Sequence, residues 1–314
     1  MGTRIKAGQC PVRRAVFLKP HGIVKARFDV LPDLPAPFNT GIFAEGKRYE
    51  SWVRFASDTV PGNSDIKTTT GIGIKLFGVP GEKLLDGDQN GITADFILQN
   101  FNVFFVNDVM EMCEFTYAGV VDHDYDSYLE THPETSDILN EMAQDVDSVV
   151  NIDYWSGLPY ALGADNYVKY IITPVERQDP PPAIPANNPN YLHDQLKQQL
   201  IEGEVKLNFC LQLRTDPETM PLDEAMVPWN EKLSPPVPVA VITLLQQDID
   251  QQGQPEYGEN LSYNPWRTTA DHQPAGSIND ARRVVYQASA DLRRFKNGVS
   301  DTEPRTPRNL NWPR

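Results

Sequence analysis

Three residues near the end of the chain have types and spacing that suit one chemistry. In "INDARRVVYQASADLRRF", residues 278–295, a helical turn of 100° per residue places Arg282, Tyr286 and Arg293 within about 40° of one another on one face. Beside Val284, Val285 and Leu292, a tyrosine ordinarily packs in a core or an interface, and Arg293, Arg294 and Lys296 suit the negative end of a helix. The i, i+4 pair of Arg282 and Tyr286 admits a sharper reading. A guanidinium held against a phenol favours the phenolate, an anionic oxygen ligand for iron. Tyrosinate is one of the axial ligands that hold haem iron, and Arg293, two turns further on, would then meet a haem propionate.

Such a helix needs a scaffold to face. From 11 to 105 short β-rich runs alternate with turn signals: "GIVKARFDVL", "YESWVRFAS", "GIGIKLFGV" and "ADFILQNFNVFFV", broken by "PGNSD", "VPGEK" and "DGDQNG". This pattern predicts an antiparallel sheet. Helical spacing follows in "NDVMEMCEFTYAG" and "SDILNEMAQDVDSV", with Asn107 or Asp108, and Ser136, as expected caps. A second β block, "NYVKYIITPVE", "GEVKLNFCLQLRT" and "VPVAVITLLQQD", is interrupted by a proline-rich loop and by a helix over 191–202. An irregular segment, 249–276, then leads into the quoted helix; loops of that length tend to be functional.

The formal charge of −15 and a pI near 4.7 argue against nucleic acid and anionic membranes as general partners. Cys10, Cys113 and Cys210 are odd in number and far apart, with neither disulfide nor zinc spacing. The start, MGTRIKAGQCPVRR, lacks an apolar signal region, and Lys6 breaks a myristoylation pattern. No stretch approaches a membrane span, so the expectation is a cytoplasmic protein.

The helix "ARRVVYQASADLRR" resembles the proximal helix of the haem catalase superfamily, in which an arginine precedes the tyrosine by four positions and a second follows it by seven. "RAVFLKPHGIVKARFDVLP", "YESWVRFAS", "GIGIKLFGVPGEKLLDGD", "TADFILQNFNVFFVND" and "LSYNPWRTTADHQPAGSINDARRVVYQASADLRRFKNG" resemble the short catalase-related haem proteins in the same order, from about 10 to 298. The resemblance implies an α+β fold: a catalase-like antiparallel β-barrel with surrounding helices and a C-terminal proximal haem helix. It implies a single haem domain over 1–298 with a polar tail over 299–314, which either wraps over the surface or is mobile. It also implies a haem b site in which Tyr286 is the axial ligand and Arg282 its charge partner. Arg14, Arg54 and Arg293 would bind the propionates, Asn100 would be the distal asparagine, and Val16 and Phe105 would be apolar distal residues. A homodimer or larger homo-oligomer is expected on the same ground.

One departure decides the functional expectation. Where catalases carry the distal histidine, "RAVF" places Phe17, and Ala56 replaces the serine that usually supports it. Phenylalanine cannot move a proton between peroxide oxygens, and loss of a positioned acid/base typically costs about 10²- to 10⁴-fold. His21 lies roughly 13 Å further along an extended strand. His123, His132, His193 and His272 are expected at polar, surface positions. The reading is therefore a haem protein that cleaves the O–O bond of organic, fatty-acid-type hydroperoxides and dismutes hydrogen peroxide poorly. The alternatives are a weak haem peroxidase or oxygenase, and a non-catalytic haem-binding protein.

Overall fold

A computed structural model describes residues 8, 10–44, 46–300 and 303–310. The polar start with Lys6, and tail residues 301, 302 and 311–314, lie outside the described residues. Nine strands are described: β1 (Lys19–Val30), β2 (Arg48–Ser57), β3 (Thr70–Phe77), β4 (Thr93–Gln99), β5 (Tyr154–Trp155), β6 (Tyr160–Leu162), β7 (Asn166–Pro174), β8 (Val205–Leu213) and β9 (Val237–Leu244). They form one antiparallel sheet in the order β5-β4-β3-β2-β1-β9-β8-β7-β6. Short β5 pairs with β4 through Gln99 and Trp155, and with β7 through Tyr154 and Ile172. That double pairing closes eight strands into a barrel and leaves β6 as an added edge on β7.

The period-two pattern sorts the side chains. Val24, Ala26 and Phe28 of β1, Val53 and Phe55 of β2, Ile72 and Ile74 of β3, and Phe96 of β4 belong to the central core. Rings of Phe28, Phe43, Phe96, Tyr170 and Phe209 meet there at centroid distances of 4.8–6.5 Å. The alternate residues, Trp52, Arg54 and Ala56 on β2 and Gly71, Gly73 and Lys75 on β3, face outward, yet they too are mostly buried. Something must cover charges on that outer wall.

The cover comes from helices and the chain's last segment. The helices are α1 (Val109–Tyr117), α2 (Tyr125–Thr131), α3 (Pro133–Met142), α4 (Tyr191–Glu202), α5 (Gln254–Asn260) and α6 (Ser277–Asn297). Asp108 caps α1 by accepting from the amides of Met110 and Glu111, as expected. Ser136 caps nothing: α3 starts three residues earlier, with Pro133 in its first turn. Strand β4 stops at Gln99 rather than running to Val106, because Asn100 turns the chain. The following Phe104 and Val106 then pack with Leu158, Ala225 and Ile278 in a second cluster. Helix α6 ends at Gly298 (φ +65°), whose amide bonds back to the carbonyls of Arg294 and Phe295.

Residues 303–310 dock on the same wall. Glu303 is buried among Lys75, Arg267 and Arg294, Arg308 donates to the carbonyls of Gln252 and Gly253, and Leu310 packs on the Ile23, Trp52, Phe77 and Leu261 cluster. All three cysteines are free; Cys210 is buried, and Cys10 and Cys113 are exposed. Among the described residues, no helix is long and apolar enough to cross a membrane.

Candidate cofactor site on the outer wall of the barrel

Helix α6 carries Arg282, Tyr286 and Arg293. The Arg282 guanidinium lies 5.4 Å from the ring centroid of half-buried Tyr286 and 5.8 Å from that of Phe104. Burial opposes the Arg282 charge, but Tyr286 and Tyr160 outweigh it and raise its pKa above the ordinary value. Tyr160, fully enclosed, is pushed up to about 12 by burial, with Arg282 opposing. Arg282 thus stands between two phenols, the second of which, Tyr160, carries no signal in the sequence.

Two turns along α6, Arg293 enters a cage of cations. Arg14 donates from Nη1 to Glu259 Oε2 at 3.0 Å, and from Nη2 to the carbonyls of Gly258 and Leu261. Arg293 donates from Nη2 to the Leu261 carbonyl at 3.1 Å, while its Nη1 lies 3.6 Å from Glu259 Oε1 and is buried without a hydrogen-bond partner among the described residues. Arg54, on β2, donates to the carbonyl of Phe17 at 2.9 Å. Three guanidiniums from three parts of the chain therefore converge on one carboxylate. Burial first, and then the neighbouring Arg14, draw both Arg54 and Arg293 down to about 9. Burial alone would raise the Glu259 carboxyl; Arg14, Arg54 and Arg293 together hold it below its ordinary value.

The opposite wall is built on two glycines. Gly71 and Gly73 leave the outward face of β3 flat, so that a methyl group at Gly71 would sit 2.7 Å from the Phe17 ring and one at Gly73 would sit 3.2 Å from the Tyr263 ring. Phe17 is held with φ +49°, a left-handed conformation unusual for an aromatic residue and costly by about 1–3 kcal/mol. Ala56 pairs with Gly71 across β2 and β3. Buried Asn100 accepts from the Thr70 amide at 3.0 Å through Oδ1, and donates from Nδ2 to the Met142 carbonyl at 3.3 Å.

Eight of the nine sequence-expected residues thus fall into two groups. Arg14, Arg54, Arg293, Phe17 and Asn100 gather along the outer wall of β2 and β3. Tyr286 and Arg282 lie on α6, next to Phe104 and Phe105, whose rings stack at 4.8 Å. Val16 is 61% exposed and adjoins Phe17 only through the chain. Glu259, Tyr160, Tyr263 and the paired glycines went unread; only the alternate glycines of "GIGI" carried a readable signal, an unusually flat outward face.

The histidines divide unexpectedly. His272 is buried, not on a polar surface: its Nε2 accepts from the Ile42 amide at 2.9 Å and its ring meets Phe43 edge-on. Burial lowers it to about 4, and lowers His21, also fully enclosed, to about 3. Among the described residues, no cluster of His, Cys, Asp or Glu is arranged to hold a bare metal ion.

No family model and no curated protein matches the sequence. Solved structures do match in shape. A bacterial catalase superposes with a TM-score of 0.73 at 14% identity, covering 94% of this chain and 59% of that one. A fungal catalase superposes with a TM-score of 0.70 at 17% identity, covering 95% and 61%. The chain thus spans about three fifths of the length of these catalases. At such identity the likeness concerns architecture, and it is plain: an eight-stranded antiparallel barrel with helices packed around it, the catalase-like fold.

Proposed function

We propose that the chain is a haem b protein that cleaves the O–O bond of organic, fatty-acid-type hydroperoxides and decomposes hydrogen peroxide poorly. One observation carries the reading: Arg14, Arg54 and Arg293 surround a single carboxylate, Glu259, on the side of a catalase-like barrel. The cage holds a surplus of two positive charges and a buried Nη1 hydrogen-bond donor on Arg293. The two propionates of haem b would neutralise that surplus, so the residues fit the group.

In this reading Tyr286 would hold the iron through its phenol oxygen, with the Arg282 guanidinium beside it as its charge partner. Haem b, when bound, would supply redox-active iron for cleavage of a hydroperoxide O–O bond. Phe17 would offer a hydrocarbon chain an apolar wall, a role the resemblance also implies for Val16 and Phe105. Phe17 neither accepts nor returns a proton. Asn100 is fixed by Thr70 and Met142, so it orients a neighbour by hydrogen bonding and does not act as a base. Hydrogen peroxide, which needs a proton moved between its oxygens, therefore reacts slowly.

The test is spectroscopic. Protein purified with haem supplied should give a ferric tyrosinate spectrum, consume an organic hydroperoxide rapidly with rearranged products, and turn over hydrogen peroxide slowly. Failure to take up haem would overturn the reading. Haem that stays inert to both oxidants would make the protein a carrier or sensor.

A further inference from the structure

The negative charge of this chain is not spread evenly. Between Lys83 and Lys169 it carries seventeen Asp and Glu and not one Lys or Arg, so the entire acidic excess of the molecule arises there. Twelve of those acids fall in residues 108–147, the stretch that forms α1, α2, α3 and their connections. Glu114, Asp122, Asp124, Asp126, Glu130 and Glu134 are exposed, and the stretch holds no Lys or Arg to offset them.

This helical unit adjoins the candidate site on two sides. At one end, Asn100 donates to the carbonyl of Met142, the last residue of α3. At the other, the amide of Val109 donates to Ser277 Oγ at the start of α6, the helix of Tyr286. Between them the Phe115 ring meets Phe105 at 4.9 Å. The same unit exposes large apolar side chains: Met110 at 64%, Tyr117 and Val120 at 58%, and Val121 at 54%. A surface of this composition attracts hydrocarbon and repels anions. In the haem-loaded protein the nearby cations do not reverse it, since Arg282 is engaged by Tyr286 and Tyr160, and Glu259 together with the two propionates would balance the arginine cage.

Building on the hydroperoxide reading above, we propose that helices α1–α3 select uncharged hydroperoxides, such as acyl esters, over free fatty-acid carboxylates of the same chain. A hydroperoxide brought in by apolar contact with α1 carries no penalty if its far end is an ester. A carboxylate end must approach a field to which every Asp and Glu of the unit contributes. The discrimination is electrostatic, so it must weaken when salt shortens the screening length from about 30 Å at 0.01 M to under 10 Å above physiological ionic strength.

The experiment compares one eight-carbon hydroperoxide as its free acid and as its methyl ester with the haem-loaded protein at about 0.01 M and 0.5 M salt. The ester should be favoured about tenfold in kcat/KM at low salt, narrowing to about threefold or less at high salt. Neutralising Glu114→Gln, Asp122→Asn, Asp124→Asn and Asp126→Asn together should remove most of the low-salt preference while leaving the ester rate unchanged. Equal rates at low salt, preference for the acid, or a preference indifferent to salt would overturn the inference. Equilibrium binding of the unreactive hydroxy analogues, acid against ester, separates it from the function itself. If neither hydroperoxide turns over, the function fails, and the same ester preference in binding still supports the selection. If neither analogue binds, both fall.

Discussion

Substituting Glu303→Gln should destabilise the protein by about 3 kcal/mol at neutral pH. The Glu303 side chain is 7% exposed, and its carboxylate lies 3.0 Å from Lys75 Nζ, within 3.5 Å of Arg267 Nη2, and against Arg294 and the Ser262 hydroxyl. Glutamine keeps the size and one acceptor, but it removes the charge and points an amide donor at three cations. Removing one partner of a buried ion pair costs about 3–5 kcal/mol. The lower end applies here because Asp95 still meets Lys75 at 2.6 Å and Arg267 besides. For a chain of this size, about 2 °C per kcal/mol translates that loss into a fall in Tm of about 6 °C. The pH dependence supplies a signature. Burial works against the charged form, yet Lys75, Arg267 and Arg294 prevail and hold the Glu303 carboxyl well below the usual 4.5. A depressed folded value means that the stabilisation is complete above the unfolded value, and is lost as pH falls through the folded one. Thermal melts of both proteins from pH 8 to 3 should therefore show a constant gap down to about pH 4.5, then a narrowing one. A gap under about 1 kcal/mol at pH 7, or one that persists unchanged in acid, would refute the picture of Glu303 as an anchor.

Tyr286→Phe should abolish or greatly weaken haem uptake; an unchanged haem stoichiometry and spectrum would sink the ligand assignment. Phe17→His should raise hydrogen peroxide decomposition at least tenfold in protein that still holds haem, measured by oxygen release. Gly71→Ala should cost about 1–3 kcal/mol through the Phe17 ring, and in a Phe17→Ala background that cost should largely vanish; denaturant titration of the four proteins checks it. His21 and His272 are neutral in the fold, with values lowered to about 3 and 4 from 6.5, so the unfolded chain binds more protons below pH 6.5. Together they should remove up to about 2.7 kcal/mol per pH unit between pH 6 and 4.5, and denaturant midpoints that stay level over that range would contradict their burial.

The sequence was most legible where structure is periodic. Strands β1, β2 and β3, helix α4 over 191–202 and the closing helix all followed from hydrophobic spacing, because a two-sided barrel and an amphipathic helix impose fixed repeats. "FNVFFV" misled because apolar residues look alike whether they extend a strand or fill a second cluster, as Phe104 and Val106 do. The interval 249–276 looked structureless but contains α5, whose seven residues are too few to reveal a repeat. Glu259 and Glu303 were invisible for another reason. Each is an ordinary acid in a polar stretch, and its meaning comes from Arg14, 245 residues away, or Lys75, on a distant strand. Resemblance located the arginines; only the folded chain revealed what they face.

One small bracket of hydrogen bonds bears on how the protein is made. The Asn297 side chain grips the backbone of Val12 on both sides, accepting from its amide at 2.8 Å and donating to its carbonyl at 2.9 Å across 285 positions of sequence. Val12 lies two residues before Arg14, and Asn297 ends the helix of Arg293. At about 5–20 residues per second, a ribosome takes roughly 15–60 s to bring the second partner after the first. For that interval the early strands can pair, but Arg14 and Phe17 have no opposite wall. A nascent chain without α6 therefore cannot present the assembled arginine cage, and any prosthetic group that relies on it must be captured once α6 has been made. Stalled or truncated products lacking α6 would leave the charged outer face of β2 and β3 uncovered, a feature by which quality control could distinguish them from finished molecules.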